Sequence, residues 1–377
     1  MRSVRIIKEE EPVKIKAAAD RRPTALGVHI YAGGFTLGVQ AAGFRVLAHM
    51  EEWPFGVETV RTNLGLPVYQ GLDTWDRAVE KYKGKVVWLY GNPPCAAWST
   101  AGHRPTKENG GKSTSDVDRC LCDPRVDCTR RLFALVPRID PTVFTWESVA
   151  AATRAGAPFV QERSEMMVKL GFRVYQVLFD GHDTGLPQHR RRFFFVASKK
   201  RIRWEKGDKA GLTPRDAWEG LVDDGAGAKL TNPAYVGLLK RMPKNKMGKL
   251  RHFFDTENPD ESKLARNPTT GNVIGRPGYL QIRIALDEVG PTIVGNTNYM
   301  HPFRNGYLTV REQAALCGWP NDYVFAGRGV AVQYQQIARA VLPPAAQWLG
   351  ENVMRALKAD EPAKPGITLV DFLHGGG

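Results

Sequence analysis

The sequence predicts an α/β fold, in which a doubly wound and mostly parallel sheet is accompanied by a second, smaller domain. In the first two hundred residues, short apolar runs alternate with amphipathic stretches, as they do in repeated β-α units. Over residues 225–290 this alternation gives way to a basic segment punctuated by glycine and proline. A chain of 377 residues with 42% hydrophobic composition can bury a core in both parts.

Six apolar runs of the first part are predicted strands, because each is short and bounded by turn residues. They are residues 28–32, 44–50, 86–91, 142–149, 175–180 and 193–198. Helical periodicity is found between them at 55–65 and 158–172. After the basic segment, residues 308–318 and 333–359 again have helical character, which predicts that the chain returns to the first domain.

The predicted organisation has five parts. Residues 1–24 are expected to be a flexible arm, because they are charged and lack the apolar centre of a secretory signal. The other parts are a first domain over 25–224, a small domain over 225–290, a return to the first domain over 291–357 and a C-terminal tail over 358–377. Residues 102–131 are polar and long for a connection in a compact domain, which predicts a mobile loop.

The charge of the chain favours a polyanionic partner. Its formal net charge is +14 and its pI is near 9.6, and basic side chains gain free energy when they neutralise phosphates and release counterions. The alternative is a protein that is basic but has no polyanionic partner. Residues 199–251 contain 14 Lys and Arg against 6 Asp and Glu. The densest run contains six candidate nucleic-acid contacts: Lys240, Arg241, Lys244, Lys246, Lys249 and Arg251.

Composition also predicts a cytoplasmic protein. The sequence contains no apolar run near the roughly 20 residues that a membrane helix needs. Five cysteines, an odd number, suit a reducing compartment better than a disulfide framework. Cys120, Cys122 and Cys128 are three candidate zinc ligands without a convincing fourth, so free thiols are preferred and no metal is predicted.

Glycines and acids follow the first predicted strands, where a nucleotide would bind. The stretch YAGGFTLGVQAAGF, residues 31–44, lets the backbone approach a ligand closely, although such turns are common in α/β folds. Glu51 and Glu52 end the next strand, where doubly wound folds hold a ribose. Asp73 ends a further candidate strand and either accepts from an adenine amino group or caps a helix.

Cys95 lies in GNPPCAAWST, residues 91–100, directly behind two prolines. Its thiol could be a packing residue, half of a disulfide, a metal ligand or a nucleophile. The cysteine count and spacing disfavour the second and third roles. Because ligands bind at the carboxyl edge of a parallel sheet, the position of Cys95 after a strand favours the nucleophile. The prolines would restrict the drift of the thiol.

Five motifs in order resemble those of the DNA (cytosine-5) methyltransferases: GNPPCAAWS, WESV, GLPQHRRRFFFVAS, YLTVREQAALCGWPNDYVF and ARAVLPP. The resemblance covers roughly residues 25–355 and is weak only over 225–290, where family members differ by target. It implies the Rossmann-like fold of the methyltransferases that use S-adenosylmethionine, with a target-recognition domain over 225–290. It also implies a monomeric enzyme that acts on double-stranded DNA in a prokaryotic cell or a phage-infected host. A cognate restriction endonuclease is one candidate partner.

The resemblance implies roles for four catalytic residues. Cys95 would add to carbon 6 of cytosine, because carbon 5 alone is a poor nucleophile. Glu147 resembles the carboxyl that hydrogen-bonds N3 of the ring, with a solvated strand-end acid as the alternative. Arg190 and Arg192 lie at alternate positions of a strand and leave the same face, and we expect their charges to lower the pKa of the thiol. Since carbon 6 is inaccessible in a duplex, the cytosine must be flipped out.

Further residues would bind the donor or the DNA. For S-adenosylmethionine, the resemblance implies Tyr31, Gly33, Gly34, Glu51, Glu52, Trp53, Asp73, Pro94, Leu132 and Val341. For DNA, it adds Ser99 and Gln188 to the six basic residues. The loop 102–131, whose DPR at 123–125 resembles the family's loop ending, would close over the flipped base. An ungapped comparison with the family motif assigns the ribose contact to Glu51. A one-residue shift assigns it to Glu52, beside Trp53.

Several supporting positions depart from the family. The glycine motif is two residues shorter than usual, and His29 replaces an acid, which puts the affinity for the cofactor in question. Ala96 replaces a glutamine, Ser148 replaces an asparagine, and Arg339 stands at the usual asparagine of a glycine-asparagine pair. Two alternatives therefore stay open: a DNA-binding relative that no longer turns over and, less favoured, an RNA cytosine-5 methyltransferase.

Overall fold

An eight-stranded sheet organises the computed structural model, which describes residues 20–98, 123–231, 233–257, 281–296 and 298–373. The strands are β1 (Thr24–Val28), β2 (Arg45–Glu51), β3 (Val68–Gln70), β4 (Trp88–Gly91), β5 (Val143–Val149), β6 (Arg173–Asp180), β7 (Arg191–Ser198) and, last in the chain, β11 (Gly366–Asp371). Their order is β11-β6-β7-β5-β4-β1-β2-β3. Strand β7 is antiparallel to both neighbours, and the other described pairings in this sheet are parallel.

The described part of the chain contains thirteen helices, and several of them cover the two faces of this sheet. They are α1 (Gly34–Ala41), α2 (Pro54–Leu64), α3 (Leu72–Tyr82), α4 (Asp127–Ala134), α5 (Val136–Ile139), α6 (Ala152–Ala155), α7 (Ala157–Lys169), α8 (Pro214–Trp218), α9 (Pro233–Arg241), α10 (Leu250–Glu257), α11 (Val310–Leu316), α12 (Val330–Arg339) and α13 (Pro343–Ala359). Phe35 of α1 and Trp348 of α13 belong to the core on one face. Trp75 of α3, Phe133 of α4 and Phe159 of α7 belong to the core on the other. The predicted doubly wound fold is therefore confirmed.

A second sheet of three short strands accompanies the basic segment. It comprises β8 (Gly248–Lys249), β9 (Ile282–Arg283) and β10 (Tyr299–Met300), in the order β10-β9-β8. A separate apolar cluster that includes Leu238, Leu250 and Met300 packs beside it. Because β10 follows residue 290, this small module continues past its predicted boundary. Two-residue strands are too short for their periodicity to be visible in the sequence.

The first strand lies earlier than the sequence predicts. Strand β1 ends at Val28, and the chain then turns toward α1 with a positive φ of 50° at both His29 and Tyr31. The predicted strand over 28–32 is therefore wrong in its bounds. The apolar side chain of Ile30 is buried in this turn. A prediction based on hydrophobicity therefore placed the end of the strand too late.

Both predicted chain ends differ from the structure. Residues 1–19 of the predicted arm 1–24 lie outside the described residues, and the last residue of that arm begins β1. The predicted tail 358–377 contains β11, which pairs in parallel with β6 along its whole length. Val370 in this strand is buried, whereas Leu369 is exposed. Residues 366–371 are thus an edge strand, and the tail prediction is wrong for them.

The end of the predicted loop 102–131 is helical. Residues 99–122 lie outside the described residues, which leaves undescribed the candidate positions Ser99, Cys120 and Cys122. The segment Pro124–Val126 then forms a 3-10 turn that leads into α4. The side chain of Asp123 caps this turn by accepting a hydrogen bond from the backbone N–H of Arg125 at 2.9 Å. Proline in the first position favours the same start.

Candidate active site

The large sheet brings the predicted catalytic residues to one edge. Cys95 follows β4, and Glu147 lies near the end of β5. Arg190 precedes β7, and Arg192 lies at its beginning, paired with the last residue of β5. Because β7 is antiparallel to β5, its beginning lies at the carboxyl edge of the parallel strands. Residues from three separated parts of the chain therefore meet there.

Glu147 is a buried carboxyl held by two partners. One oxygen, Oε2, accepts a hydrogen bond from Nδ2 of Asn92 at 2.6 Å, and Oε1 lies 3.2 Å from Nε of Arg192. Burial raises the pKa of Glu147 and outweighs the lowering effect of Arg192 and Arg190. A raised pKa favours the protonated form, which can donate a hydrogen bond. Sequence reasoning gave Asn92 no role, although it lies in the cysteine motif itself.

The Cys95 thiol is partly buried beside this carboxyl. Burial raises the pKa of Cys95, and the negative charge of Glu147 raises it further, whereas Arg192 and Arg190 lower it. The arginines therefore lower the pKa of the thiol as expected, but the net direction is upward. The cost of removing a thiolate from water exceeds the attraction of two nearby cations.

Arg190 connects distant segments of the chain. Its guanidinium donates to the carbonyl oxygens of Ile293 at 2.8 Å and Ala338 at 2.5 Å, and the residue is buried. Burial lowers the pKa of Arg190 to about 10. Arg190 and Arg192 also line one small cavity together with Glu147. The expectation that both arginines leave the same face agrees with this cavity.

Gln188 is a buried structural residue. Its side-chain nitrogen donates to the carbonyl oxygen of Leu316 at 2.6 Å, and its oxygen accepts from the backbone N–H of Ile293 at 2.8 Å. Both ends of the amide are thus used inside the protein, and the side chain has no exposed surface. The prediction that Gln188 contacts DNA is therefore wrong for this structure.

Glu51 ends β2 as a buried carboxyl that organises the next turn. Its two oxygens accept hydrogen bonds from three backbone N–H groups, those of Tyr31 and Glu52 at 2.8 Å and of Trp53 at 2.9 Å. Burial raises the pKa of Glu51 to about 7, although these hydrogen bonds oppose the shift. Three internal donors leave this carboxyl little capacity for a ligand.

Glu52 and Trp53 are more accessible than Glu51. The Glu52 side chain is 34% exposed and lies 3.4 Å from a guanidinium nitrogen of Arg131. The Trp53 ring contacts Tyr31 edge to face, with 5.8 Å between ring centroids. The guanidinium of Arg339 lies 6.0 Å from the centroid of the Trp53 ring. A carboxylate and an aromatic ring are therefore adjacent at the end of β2, a combination that suits the hydroxyls and base of a nucleoside.

The two glycines before α1 serve the turn and its packing. Gly33 has a φ of 88°, in the left-handed region that favours glycine. A Cβ on Gly34 would lie 2.2 Å from the carbonyl oxygen of Val341. The start of α1 thus packs directly against the chain before α13, which explains the glycine at 34 without a ligand.

Three other residues that were predicted to contact S-adenosylmethionine differ in exposure. Asp73 is exposed in the first turn of α3, but Gly71 is the N-cap of this helix, so the alternative that Asp73 caps it is wrong. Pro94 is partly buried before the thiol. Leu132 is fully buried, and a Cβ on Gly91 would lie 2.6 Å from its side chain.

The six basic candidates lie on and after α9. Lys240, Arg241, Lys244 and Lys246 are exposed, and Lys249 and Arg251 are partly buried. The ammonium group of Lys244 donates to the carbonyl oxygen of Phe303 at 2.5 Å and to Oδ1 of Asn305 at 2.6 Å. The four exposed side chains give this module a positively charged surface.

None of the helices in the described ranges has both the length and the apolarity of a membrane span.

Comparison with known proteins identifies the family. The sequence model of the C-5 cytosine-specific DNA methylases matches residues 28–355. The chain belongs to this family. It is 30% identical over 344 residues to the Type II methyltransferase M1.HphI of Haemophilus parahaemolyticus, covering 86% of this chain and 84% of the relative. It is 25% identical over 346 residues to the Type II methyltransferase M.MthTI of Methanothermobacter thermautotrophicus, covering 87% of this chain and 96% of the relative.

Solved structures agree on the fold. A prophage-encoded E. coli protein, described as a DNA modification methyltransferase, has a TM-score of 0.62 at 19% identity over 89% of this chain and 99% of that one. The Entamoeba histolytica methyltransferase EhMeth has a TM-score of 0.58 at 12% identity with the same coverage. As a member of the C-5 cytosine-specific family, the chain is a DNA cytosine-5 methyltransferase, which acts on DNA and takes its methyl group from a donor.

Proposed function

We propose that this enzyme transfers a methyl group from S-adenosylmethionine to a cytosine flipped out of double-stranded DNA, with Cys95 as nucleophile and Glu147 as the acid at N3. The convergence of Cys95, Glu147 and Arg192 at the carboxyl edge of the sheet is the observation that supports this most strongly. These groups come from β4, β5 and β7, and no local sequence pattern requires them to meet.

Glu147 and Cys95 act on opposite parts of the cytosine ring. Protonated Glu147 donates a hydrogen bond to N3, which withdraws electron density from the ring while the Cys95 thiolate forms a bond to carbon 6. The electron pair of the C5–C6 double bond is displaced to make carbon 5 nucleophilic. After methylation, loss of the proton from carbon 5 restores the double bond and expels the thiolate.

The proton on Glu147 also assists ionisation of the thiol. The charge of ionised Glu147 is one cause of the raised pKa of Cys95, so protonation of the carboxyl removes that cause. Asn92 and Arg192 fix the carboxyl between them at 2.6 and 3.2 Å. Arg190 holds the surrounding segments through its two carbonyl contacts.

For the donor, we assign the ribose hydroxyls to Glu52 and the adenine ring to Trp53. When bound, S-adenosylmethionine supplies an electrophilic methyl group. Glu51 is less suited to the ribose, because its oxygens already accept three backbone N–H groups. Glu52 is one-third exposed beside an aromatic ring, so the residues present fit a nucleoside. Glu51 would then shape the turn that presents both groups.

For DNA, we propose that the small module reads the target while its exposed basic residues bind phosphates. Exposed Lys240, Arg241 and Lys246 are the strongest candidates, because phosphate binding requires accessible charge. The proposed enzyme is a monomer, because methylation of a single base requires only one active site. The relatives named above are type II methyltransferases, and a restriction endonuclease of matching specificity is the proposed partner.

The experiment is methyl transfer by purified Cys95→Ala, with Cys128→Ala as the matched control. Each protein is incubated with double-stranded DNA of mixed sequence and S-adenosylmethionine, and 5-methylcytosine is mapped by sequencing. We expect product with the wild type and Cys128→Ala, and none with Cys95→Ala, because Cys95 adjoins Glu147 and Arg192, whereas the charged neighbours of Cys128 include Arg131 and Glu52. Equal unfolding midpoints would show that folding is intact. Normal methylation by Cys95→Ala would refute the mechanism.

A further inference from the structure

A basic cleft lies at the edge of the large sheet opposite to Cys95. It is formed where β6 and β11 begin and where the chain leaves β7, and its volume is about 370 Å³. Its lining includes Arg173, Tyr175, Arg201, Trp204, Lys364 and Thr368. The family match ends at residue 355, so the wall that contains Lys364 and Thr368 lies beyond the matched region. The walls that contain Arg173, Tyr175, Arg201 and Trp204 lie within the matched region, so the cleft combines residues from both sides of its end.

The lining of the cleft contains three cations and, within the described residues, no acid. Arg201 and Lys364 are exposed, and neither forms an ion pair in the part of the chain that the structure describes. Arg173 donates only to neutral groups here, the carbonyl oxygen of Lys364 at 3.4 Å and the hydroxyl of Thr368 at 2.9 Å. Three like charges around one cleft create a positive potential that an anion would neutralise.

An aromatic wall accompanies these cations. The partly exposed Trp204 ring lies edge-on to Tyr175, with 5.7 Å between centroids. The Tyr175 hydroxyl accepts a hydrogen bond from the backbone N–H of Ile202 at 3.0 Å, so the residue forms a fixed floor. Arg173 lies over that floor, 5.9 Å from the ring centroid. A flat apolar surface beside three cations suits a ligand that has both a ring and an anionic group.

We propose that this cleft binds a nucleoside phosphate, with the phosphate among Arg173, Arg201 and Lys364 and the base against Trp204. The site is separate from the reacting cytosine, because β6 runs its full eight residues between the two edges, roughly 23 Å at the rise of an extended strand. Neither the nucleophile nor the donor residues assigned above take part in it.

Calorimetric titration of the full chain with guanosine monophosphate, guanosine and inorganic phosphate tests the site. Guanine is neither the adenine of the donor nor the target cytosine, so those sites do not compete for it. The variant carries Arg201→Ala and Lys364→Ala together, at two exposed positions. Arg203→Ala is the control, because this neighbouring arginine is 71% exposed and pairs with Glu361 at 2.9 Å.

We expect the wild type and Arg203→Ala to bind guanosine monophosphate about tenfold more tightly than guanosine or phosphate alone. The double variant should lose about tenfold in affinity for the nucleotide and keep its methyl transfer activity. Absence of wild-type binding at about 1 mM, or equal binding by the double variant, would overturn the proposal. Equal wild-type affinity for phosphate and nucleotide would overturn the role of Trp204. Because methyl transfer is measured separately, failure of this site is distinguishable from failure of the catalytic assignment.

Discussion

At the scale of single residues, the proposed mechanism depends on Cys95 and Glu147, two neighbouring groups whose negative charges disfavour each other. Burial raises the pKa of both Cys95 and Glu147, and the carboxylate of Glu147 raises that of the thiol further. The nearby arginines reduce these shifts without reversing them. The free enzyme is therefore expected to keep the thiol mostly protonated at neutral pH, and loss of negative charge at Glu147 favours the reactive thiolate.

Glu147→Gln should shift the pH profile of Cys95 alkylation to lower pH. The amide cannot carry the charge that raises the pKa of the thiol, so the thiolate forms at lower pH than in the wild type. Alkylation by iodoacetamide is measured across pH by mass spectrometry of the peptide that contains Cys95. Glu52→Gln is the control and should leave the profile unchanged. A shift to higher pH in Glu147→Gln would contradict the electrostatic account.

At the scale of secondary-structure elements, close packing of α1 against the chain before α13 fixes the turn between β1 and α1. The two helices share the core on one face of the sheet, through residues such as Phe35 and Leu349. Gly34 allows this approach, because any Cβ at that position would meet the carbonyl oxygen of Val341 at 2.2 Å. A backbone oxygen in that position can move only if the helix start moves with it.

Gly34→Ala should destabilise the protein by about 1–3 kcal/mol, since overpacking displaces neighbouring backbone. The measurement is the free energy of unfolding from urea titrations. Gly237→Ala in α9 is the matched control, because a Cβ at that position would meet no atom within 4 Å, and helix propensity predicts a gain of about 0.5–1 kcal/mol. Unchanged stability in Gly34→Ala would show that the contact does not constrain this helix.

The elements also show what can be predicted from the sequence. Long apolar strands such as β5 and β7 were predictable, and so were the positions of Cys95 after β4 and of Glu147 near the end of β5. The two-residue strands of the small module were not, because such strands have no visible periodicity. The burial of Gln188 was also hidden, since its partners are backbone groups more than a hundred residues away. Only tertiary structure could distinguish the internal carboxyl of Glu51 from its accessible neighbour.

At the scale of the whole molecule, the positive charge is divided between two surfaces. The small module presents exposed lysines and arginines on and after α9, and the cleft where β6 and β11 begin contains three more cations at the far edge of the sheet. A formal net charge of +14 alone does not say which surface binds DNA. The salt dependence of DNA binding identifies that surface, because each phosphate that the protein neutralises contributes to the slope of log affinity against log salt concentration.

Lys240→Ala combined with Lys246→Ala should reduce the slope of log affinity against log salt by about 1.8, or about 0.9 for each lost phosphate contact. Both side chains are exposed on the small module. DNA binding is measured by fluorescence anisotropy at several salt concentrations. Lys169→Ala, an exposed lysine at the end of α7, should leave the slope unchanged. A slope that is the same in the double variant and the wild type would exclude these lysines as phosphate contacts.

Covalent capture on DNA that contains 5-fluorocytosine tests the nucleophile most directly. Fluorine at carbon 5 cannot be removed as a proton, so once the ring is methylated the bond between Cys95 Sγ and carbon 6 cannot be broken by elimination. We expect the wild type with S-adenosylmethionine to form a stable protein–DNA adduct, and mass spectrometry to locate the nucleotide on Cys95. An adduct attached at another residue, or one that also forms with Cys95→Ala, would contradict the assignment of Cys95 as the nucleophile.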